Sequence, residues 1–233
     1  MADARAMAAA PLPGSTPAAA LASFIAAEDF PCLGAKAAHA RGGIETIEAG
    51  ELTAASHDRA IVAGLQRFAC DADAEYLFVS FAVVFAAAPA LSEQDFEQAL
   101  WQRLQALHEL DRRQFGWDPA VSSDPRSPRF SMSIGGRAFY VVGLHPAASR
   151  PARRFRQPVL LFNLHSQFER LRADGRYEKL REAIIRRDIA YAGSANPMLA
   201  VHGKSSEARQ YSGRQVDANW RCPFHASNGE APA

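Results

Sequence analysis

The alternation of apolar and polar residues along the chain predicts a central β-sheet. Apolar and charged residues alternate over positions 44–49, which is typical of a half-buried strand, and the apolar, aromatic run over 76–85 predicts a strand covered on both faces. Two more strand-like runs, at 129–134 and 137–144, flank a Gly-Gly pair at 135–136. Because such a pair suits a two-residue turn, we expect an antiparallel hairpin here.

Most of the chain between these strands has the apolar periodicity of α-helices. After Ser92, a favourable N-cap residue, apolar side chains recur at steps of three and four from Phe96 to Leu107, which predicts a long helix over 93–112. The same reasoning predicts one more buried strand at 159–163 and shorter helices at 21–27, 33–40, 56–70, 167–171 and 177–191. From Gly193 onwards little periodicity is left, so we expect a long irregular segment anchored by Trp220 and Phe224.

These elements indicate the α+β (mixed α/β) class, with helices packed on a mixed sheet of four or five strands. The antiparallel hairpin excludes a purely parallel, doubly wound sheet. Residues 1–20 are rich in Ala and Pro and are predicted to form a disordered leader, and residues 21–233 a single domain. The chain has no run of about 18 consecutive apolar residues, so we expect no membrane span.

Charge and cysteine content narrow the function classes. Lys and Arg number 26 and Asp and Glu number 25, which gives a net charge of +1. Proteins that neutralise phosphates usually carry a basic excess, so nucleic-acid binding is disfavoured. Cys32, Cys70 and Cys222 are odd in number and widely spaced, which argues against a disulfide framework and a thiolate zinc site. We therefore expect a reducing, cytoplasmic location.

Arginines are concentrated in one short stretch. Arg150, Arg153, Arg154 and Arg156 fall within seven positions of an otherwise neutral chain. Such a cluster is typical of a site for a small anionic group. On the sequence alone, a solvated surface patch explains the cluster equally well.

Common catalytic motifs are absent, and the most unusual feature is a series of polar, aromatic segments. The chain has no GxSxG, GxGxxG, Walker A, HExxH or CxxCH motif. It does contain GLHPAASRPARRF at 143–155 and FNLHSQFE at 162–169, besides FPC at 30–32 and WRCPF at 220–224. Taken in their order along the chain, these segments resemble the YqcI/YcgG family, over residues of about 30–224.

The resemblance implies a reaction class. Family members with an assigned role are heme-dependent N-hydroxylases of specialised metabolism, which oxidise a guanidine nitrogen of arginine or an arginine-like amino acid on routes such as those to cycloserine and guanitoxin. It therefore implies heme b, an external electron donor and redox partner, and a small guanidino substrate; the chain could form a homodimer. Two other functions remain open: a heme-binding sensor or carrier without turnover, and a cofactor-free Cys/His enzyme.

Candidate site residues follow from the same segments. His145 and His165 lie at predicted strand ends and are the catalytic candidates, although a histidine there more often only forms hydrogen bonds. Arg150, Arg153 and Arg154 are expected to bind heme propionates or a substrate carboxylate. Substrate-binding candidates near the motifs are Asp118, Asp124, Glu169, Glu207 and Arg209. Asp124 precedes Pro125 and also suits an ordinary turn.

The axial heme ligand is predicted to be Cys32, as a thiolate. A thiolate donates electron density to iron and favours cleavage of the O–O bond. Cys32 opens the helix-prone run 33–40, and a helix N-terminus lowers the pKa of a thiol. Cys222, His145 and His165 are the alternative ligands, and Cys32 is equally well explained as a small buried residue. Cys70 is expected to be buried in helix packing.

Overall fold

The computed structural model describes residues 15–71, 77–87, 89–199 and 203–226, and a mixed sheet lies at its centre. The strands are β1 (Ile44–Ala49), β2 (Ser80–Phe85), β3 (Met132–Ile134), β4 (Arg137–Leu144) and β5 (Val159–Leu164). Their spatial order is β1-β2-β5-β4-β3. Only β1 and β2 are parallel, and the other neighbouring pairs are antiparallel. The prediction of a mixed, partly antiparallel sheet is therefore confirmed.

Helices cover both faces of this sheet. In the described part of the chain they are α1 (Pro17–Ala26), α2 (Leu33–Ala40), α3 (Asp58–Asp71), α4 (Glu93–Asp111), α5 (His165–Ala173), α6 (Tyr177–Ala192) and α7 (Ala208–Tyr211). Short 3₁₀ turns occupy Ala55–His57 and Pro151–Arg153. The α+β class is thus confirmed. None of the helices in these ranges is both long and apolar enough to cross a membrane.

Strand alternation divides the interior into two apolar layers. Phe81, Phe139 and Phe162 lie in the layer beneath α3 and α4. The intervening residues of the same strands, among them Ala82 and Leu161, pack on the other side beneath α1. Because successive side chains of a strand point to opposite faces, one position along a strand decides which layer a residue joins.

A glycine allows α4 to lie close against the sheet. A Cβ atom at Gly143 would come within 2.8 Å of the side chains of Phe96 and Leu100. Both of these residues are fully buried on α4. Any larger residue at position 143 would therefore push α4 away from β4.

The hairpin predicted at the Gly-Gly pair is confirmed. Ile134 pairs directly with Arg137 across the two glycines. Gly135 and Gly136 have φ of 62° and 68°, the left-handed conformation that a two-residue turn of this kind requires. The Gly135 N–H donates to the carboxylate of Asp111 at the end of α4, at 3.0 and 3.1 Å. The first strand of the hairpin begins at Met132, later than predicted.

Two predicted boundaries at the start of elements were wrong. Residues 1–14 of the predicted leader lie outside the described residues, but α1 begins at Pro17, inside the segment assigned to the leader. Thr16 caps this helix by accepting the Ala19 N–H at 3.2 Å, and Pro17 occupies a position that suits proline. The strand predicted at 76–85 begins only at Ser80, because Phe78 has a φ of 66° that interrupts an extended chain.

The irregular C-terminal segment is anchored on α4. The Glu97 carboxylate accepts hydrogen bonds from Ser212, Arg214 and Trp220. Phe224 is 1% exposed within the layer beneath α3 and α4. The predicted anchoring of this segment by Trp220 and Phe224 is confirmed for its described residues.

Candidate functional site

A cavity of about 350 Å³ lies on the α1 side of the sheet. Its floor includes a row of residues that are directly paired across four strands: Ile44, Ser80, Asn163 and Tyr140. Hydrogen bonds fix this row, because Ser80 donates to Asn163 at 2.7 Å and Asn163 donates to the Tyr140 carbonyl at 3.2 Å. The volume is within the range of small-molecule sites, about 300–1,000 Å³.

The walls of the cavity come from distant parts of the chain. They include the start of α2, the turn at 150–153, α5, α6 and the segment before α7. Apolar side chains predominate, among them Phe30, Val142, Leu144 and Leu161. A few polar groups converge between these apolar walls, as is typical of a binding site.

Helix α6 covers one side of the cavity. Its lining residues are Tyr177, Leu180, Arg181, Ile184 and Asp188, a spacing of three and four that forms one helix face. The outer side of the helix faces solvent, and none of its residues is classed as buried.

Cys32 lines the cavity as the N-cap residue of α2. Its Sγ accepts the Ala35 N–H at 3.5 Å. The predicted location at a helix start is therefore found, but the predicted lowering of the thiol pKa was wrong. Burial raises the pKa of Cys32, although the Ala35 and Gly34 N–H groups and the nearby Arg153 act in the opposite direction. Without a further positive partner, this sulfur stays a thiol.

The clustered arginines are largely engaged by the protein itself. Arg150 lines the cavity, but it forms an ion pair with Asp188 and donates to the Ser194 carbonyl. Arg154 donates to the carbonyls of Ala148 and Ser149, and it does not line the cavity. The cluster is thus neither a free anion site nor a solvated patch, because backbone oxygens and one carboxylate occupy most of its donors.

Arg153 is a buried structural cation at the cavity wall. It donates to the carbonyls of Gly143, Tyr211 and Gln210 at 3.0–3.1 Å. Burial lowers its pKa, and the nearby side chains of Tyr140 and Cys32 act in the opposite direction. None of the described carboxylates forms an ion pair with it. Its charge therefore lies in the cavity wall, where it acts on the nearby Cys32 thiol, while its hydrogen bonds are made to the protein itself.

Glu207 is a buried carboxyl group in the cavity lining. Its Oε1 accepts hydrogen bonds from Ser131 at 2.7 Å and from Tyr211 at 2.6 Å. Burial raises the pKa of Glu207 to about 7, and the two hydrogen bonds and Arg172 limit the rise. A carboxyl group with this pKa can bind a cation or exchange a proton near neutral pH.

His165 lines the same cavity as the first residue of α5. Its Nε2 lies 3.0 Å from Glu169, and its Nδ1 lies 3.5 Å from the hydroxyl of Ser131, which also donates to Glu207. Both ring nitrogens are therefore engaged. This imidazole is better placed to hold or pass a proton than to ligate a metal.

His145 lies on the opposite side of the sheet. It follows Leu144 by one residue, so strand alternation turns it toward α4, where its ring stacks on Phe96 at 4.1 Å. It is 2% exposed and does not line the cavity, and burial lowers its pKa to about 4. The prediction that His145 acts at the same site as His165 is not supported by this arrangement.

The match to a known family covers nearly all of these elements. The model of the YqcI/YcgG family matches residues 21–225. The chain belongs to the YqcI/YcgG family. No curated protein and no solved structure matches the chain. The matched range contains every described residue of the cavity lining, so the cavity is part of the YqcI/YcgG domain itself.

Besides Glu169, which pairs with His165 and Arg172, three more of the predicted substrate-binding residues do not line the cavity of this YqcI/YcgG protein. Asp118 accepts the N–H groups of Ala120 and Ala138 and fixes a loop against β4. Asp124 forms an exposed turn and pairs with its neighbour Arg126. Arg209 lies over the ring of Trp220 and donates to the Asp217 carbonyl. These residues are engaged in turns and in the C-terminal segment.

The other two cysteines are also away from the cavity. Cys222 packs near Glu97 on the α4 side, and burial raises its pKa to about 12. Cys70 is exposed, which contradicts its predicted burial. It lies on the outer side of α3, because the apolar face of that helix is made by Ile61, Leu65 and Phe68.

Heme, the cofactor implied by the resemblance, fits the donor set of the cavity. A heme site needs apolar walls, one or two axial ligands and partners for the propionates. The cavity offers apolar walls, the Cys32 sulfur and arginine side chains. No group of three or more metal-binding side chains occurs among the described residues, but a heme iron does not require one.

Sequence reasoning missed several residues of the site. Tyr140 and Asn163 lie within strands, and Arg172 and Arg181 lie on helix faces that look like ordinary solvated surface. One usable signal was present, since Asn163 is a polar residue inside the otherwise apolar run of β5. The arginines carried no comparable signal.

Proposed function

We propose that this protein is a heme-dependent monooxygenase that N-hydroxylates the guanidino group of arginine or an arginine-like amino acid. The observation that carries the proposal is the content of one cavity. It combines a thiol, Cys32, with a buried carboxyl group, Glu207, between apolar walls. Membership of the YqcI/YcgG family supports the same assignment.

Cys32 would hold the heme, and arginines of the wall would neutralise its propionates. When bound, the heme supplies activation of O₂ with electrons from an external donor. In the overall reaction an N–H group becomes N–OH, and the second oxygen atom leaves as water. The reaction consumes O₂, two electrons and two protons. Metal coordination deprotonates a thiol, so the raised pKa of free Cys32 is compatible with this role.

Glu207 would bind the guanidinium group of the substrate. A carboxylate pairs with a guanidinium through two parallel hydrogen bonds. Ser131 and Tyr211 hold Oε1 in place, so the orientation of the carboxyl group is fixed before the substrate arrives. Because burial raises the pKa of Glu207 to about 7, substrate affinity should increase as pH rises through neutrality.

His165 would serve as the proton donor or acceptor behind this carboxyl group. Ser131 lies between its Nδ1 and Glu207, and the half-exposed Glu169 lies beyond its Nε2. The apolar walls would exclude bulk water from the reacting groups, which strengthens the ion pair of Glu207 with the substrate.

Heme content and product formation test the proposal. We expect a Soret band in the purified protein, and N-hydroxyarginine by mass spectrometry when arginine, O₂ and a reductant are supplied. Glu207→Gln should lower kcat/KM by at least about 100-fold, which reflects loss of a charge-assisted pair. Asp124→Asn, an exposed carboxylate away from the cavity, is the matched control and should leave activity unchanged. Purified protein without heme that cannot be reconstituted would refute the proposal.

A heme-binding sensor or carrier is the second candidate. The raised pKa of Cys32 favours this function, because a sulfur that takes up a proton when it leaves the iron would release the heme more readily. This function predicts a Soret band and a reversible change of ligand, with no product from arginine or other guanidino acids under the same conditions.

A further inference from the structure

Positive side chains outnumber negative ones in the cavity lining. Among its described residues are four arginines, but the carboxylates are only those of Asp188 and Glu207. Asp188 is already paired with Arg150. A cleft lined by an excess of one charge attracts ligand groups of the other sign, so the lining favours an anionic group on the ligand.

Two of the four arginines have donors to spare. Arg150 and Arg153 are engaged by Asp188 and by backbone carbonyls. In contrast, the Arg181 side chain makes no hydrogen bond or ion pair with any described residue. Arg172 pairs with Glu169 through Nη1, but its Nε is buried and has no hydrogen-bond partner in the described part of the chain. A buried N–H group without an acceptor is unfavourable, so an arriving acceptor is stabilised there.

Arg172 is held in a defined position. Its guanidinium lies over the ring of Tyr177, 4.3 Å from the ring centroid, while Glu169 fixes one of its nitrogens. Tyr177 is the first residue of α6 and lines the cavity, and no side chain caps this helix end. Arg181 follows it by one helical turn on the same face of α6. Two cations and a positive helix end therefore meet at this side of the cavity.

We propose that Arg172 and Arg181 bind a carboxylate group of the ligand. Guanidinium groups suit carboxylates because their N–H groups match the two oxygens. The identity of that carboxylate rests on the proposed function: it is either the α-carboxylate of a guanidino acid or a heme propionate. In either case these two residues take the role that sequence reasoning assigned to Arg150, Arg153 and Arg154.

Ligand pairs that differ only in the carboxylate test this inference. Binding of arginine, of agmatine, which lacks the carboxylate, and of glutarate is measured by calorimetry. Binding of hemin and of its dimethyl ester is measured by absorbance. The variants are Arg172→Gln and Arg181→Gln. The control is Arg186→Gln, which is exposed on α6 and does not line the cavity. Arg181 has no described partner, so its replacement should leave the fold intact even if Arg172→Gln does not.

We expect each variant to weaken binding of one carboxylate-bearing probe about tenfold, and to leave its carboxylate-free counterpart and the control variant unchanged. Weaker binding of arginine alone assigns the substrate carboxylate, and weaker binding of hemin alone assigns the propionates. If both variants bind every probe as the wild type does, or the wild type binds no carboxylate probe, the inference is overturned. If a carboxylate probe binds in a way that depends on Arg172 or Arg181, but no hydroxylated product forms, the proposed function alone is refuted.

Discussion

The hydroxyl group of Tyr211 donates a 2.6 Å hydrogen bond to Oε1 of Glu207, which lies four residues earlier in the chain. The bond favours the ionised carboxylate, whereas burial favours the neutral acid. The balance raises the pKa of Glu207 from 4.5 to about 7. A single buried carboxyl group therefore changes charge in the range where most enzymes work.

This carboxyl group should make stability depend on pH. Between about pH 4.5 and 7 the folded protein keeps a proton on Glu207 that the unfolded chain has released. The free energy of unfolding should therefore fall as pH rises through this window, by up to about 3 kcal/mol. Urea denaturation across the window measures it, and Glu207→Gln should remove this part of the pH dependence.

The Tyr211→Phe variant provides a second test of the titration of Glu207. Loss of the hydroxyl removes a hydrogen bond that favours the ionised form, so the window should extend to higher pH. An unchanged upper limit in this variant, or a pH dependence that survives in Glu207→Gln, would show that another group titrates.

Cys32→Ser should change the heme environment, while Cys70→Ser should not. Cys32 lines the cavity and Cys70 is exposed on α3, so the two substitutions are chemically identical and differ only in location. With a thiolate ligand, the ferrous–CO spectrum of the wild type is strongly red-shifted, and Cys32→Ser should abolish that shift. Persistence of the red-shifted band in the variant would exclude Cys32. A histidine-type spectrum in the wild type would exclude the cysteines altogether.

The two glycines of the hairpin should differ in their tolerance of alanine. Both have positive φ, so alanine costs about 1 kcal/mol of backbone strain at either position. A Cβ at Gly135 would also lie 3.1 Å from Gln66 and from Ala69, whereas at Gly136 the nearest atom is 3.9 Å away. Gly135→Ala should therefore lower the free energy of unfolding by about 1–2 kcal/mol more than Gly136→Ala. Equal losses in urea denaturation would contradict the close contact of this turn with α3.

Glu97 should control the attachment of the C-terminal segment. Glu97→Gln weakens its bonds to Ser212, Arg214 and Trp220, and we expect a loss of about 2 kcal/mol in unfolding free energy. Trypsin should cleave after Arg214 faster than in the wild type. Gln98→Ala, at the neighbouring exposed position of α4, serves as the control and should change neither quantity. Unaltered proteolysis in Glu97→Gln would mean that apolar contacts alone hold the segment.

The fold was predictable where the deciding forces are local. The hairpin follows from two glycines and the alternation on either side, and α4 follows from apolar spacing and the Ser92 cap. The start of β2 was not predictable, because the positive φ of Phe78 is rare for an aromatic residue and no local sequence pattern indicates it. The extent of α1 was missed since a composition rich in Ala and Pro suits both a disordered leader and a capped helix.

The site was less predictable than the fold, because its members act through tertiary position. Cys32, His165 and Glu207 came from recognisable segments, and all three line the cavity. Arg172 and Arg181 belong to helices that carry other arginines, and only the packing of α5 and α6 at the cavity distinguishes these two. Arg153 looked like an anion-binding residue, but no sequence pattern shows that three carbonyl groups already accept its hydrogen bonds.

The floor of the cavity has a consequence for how the protein becomes competent to bind. Ile44, Ser80, Asn163 and Tyr140 come from four strands and from widely separated positions of the chain, yet they lie side by side in one row. Contacts between such distant positions form late and cooperatively during folding, because long loops must close first. A truncated or half-assembled chain would thus have no partial site of lower affinity. Gain of ligand binding during refolding should coincide with completion of the sheet.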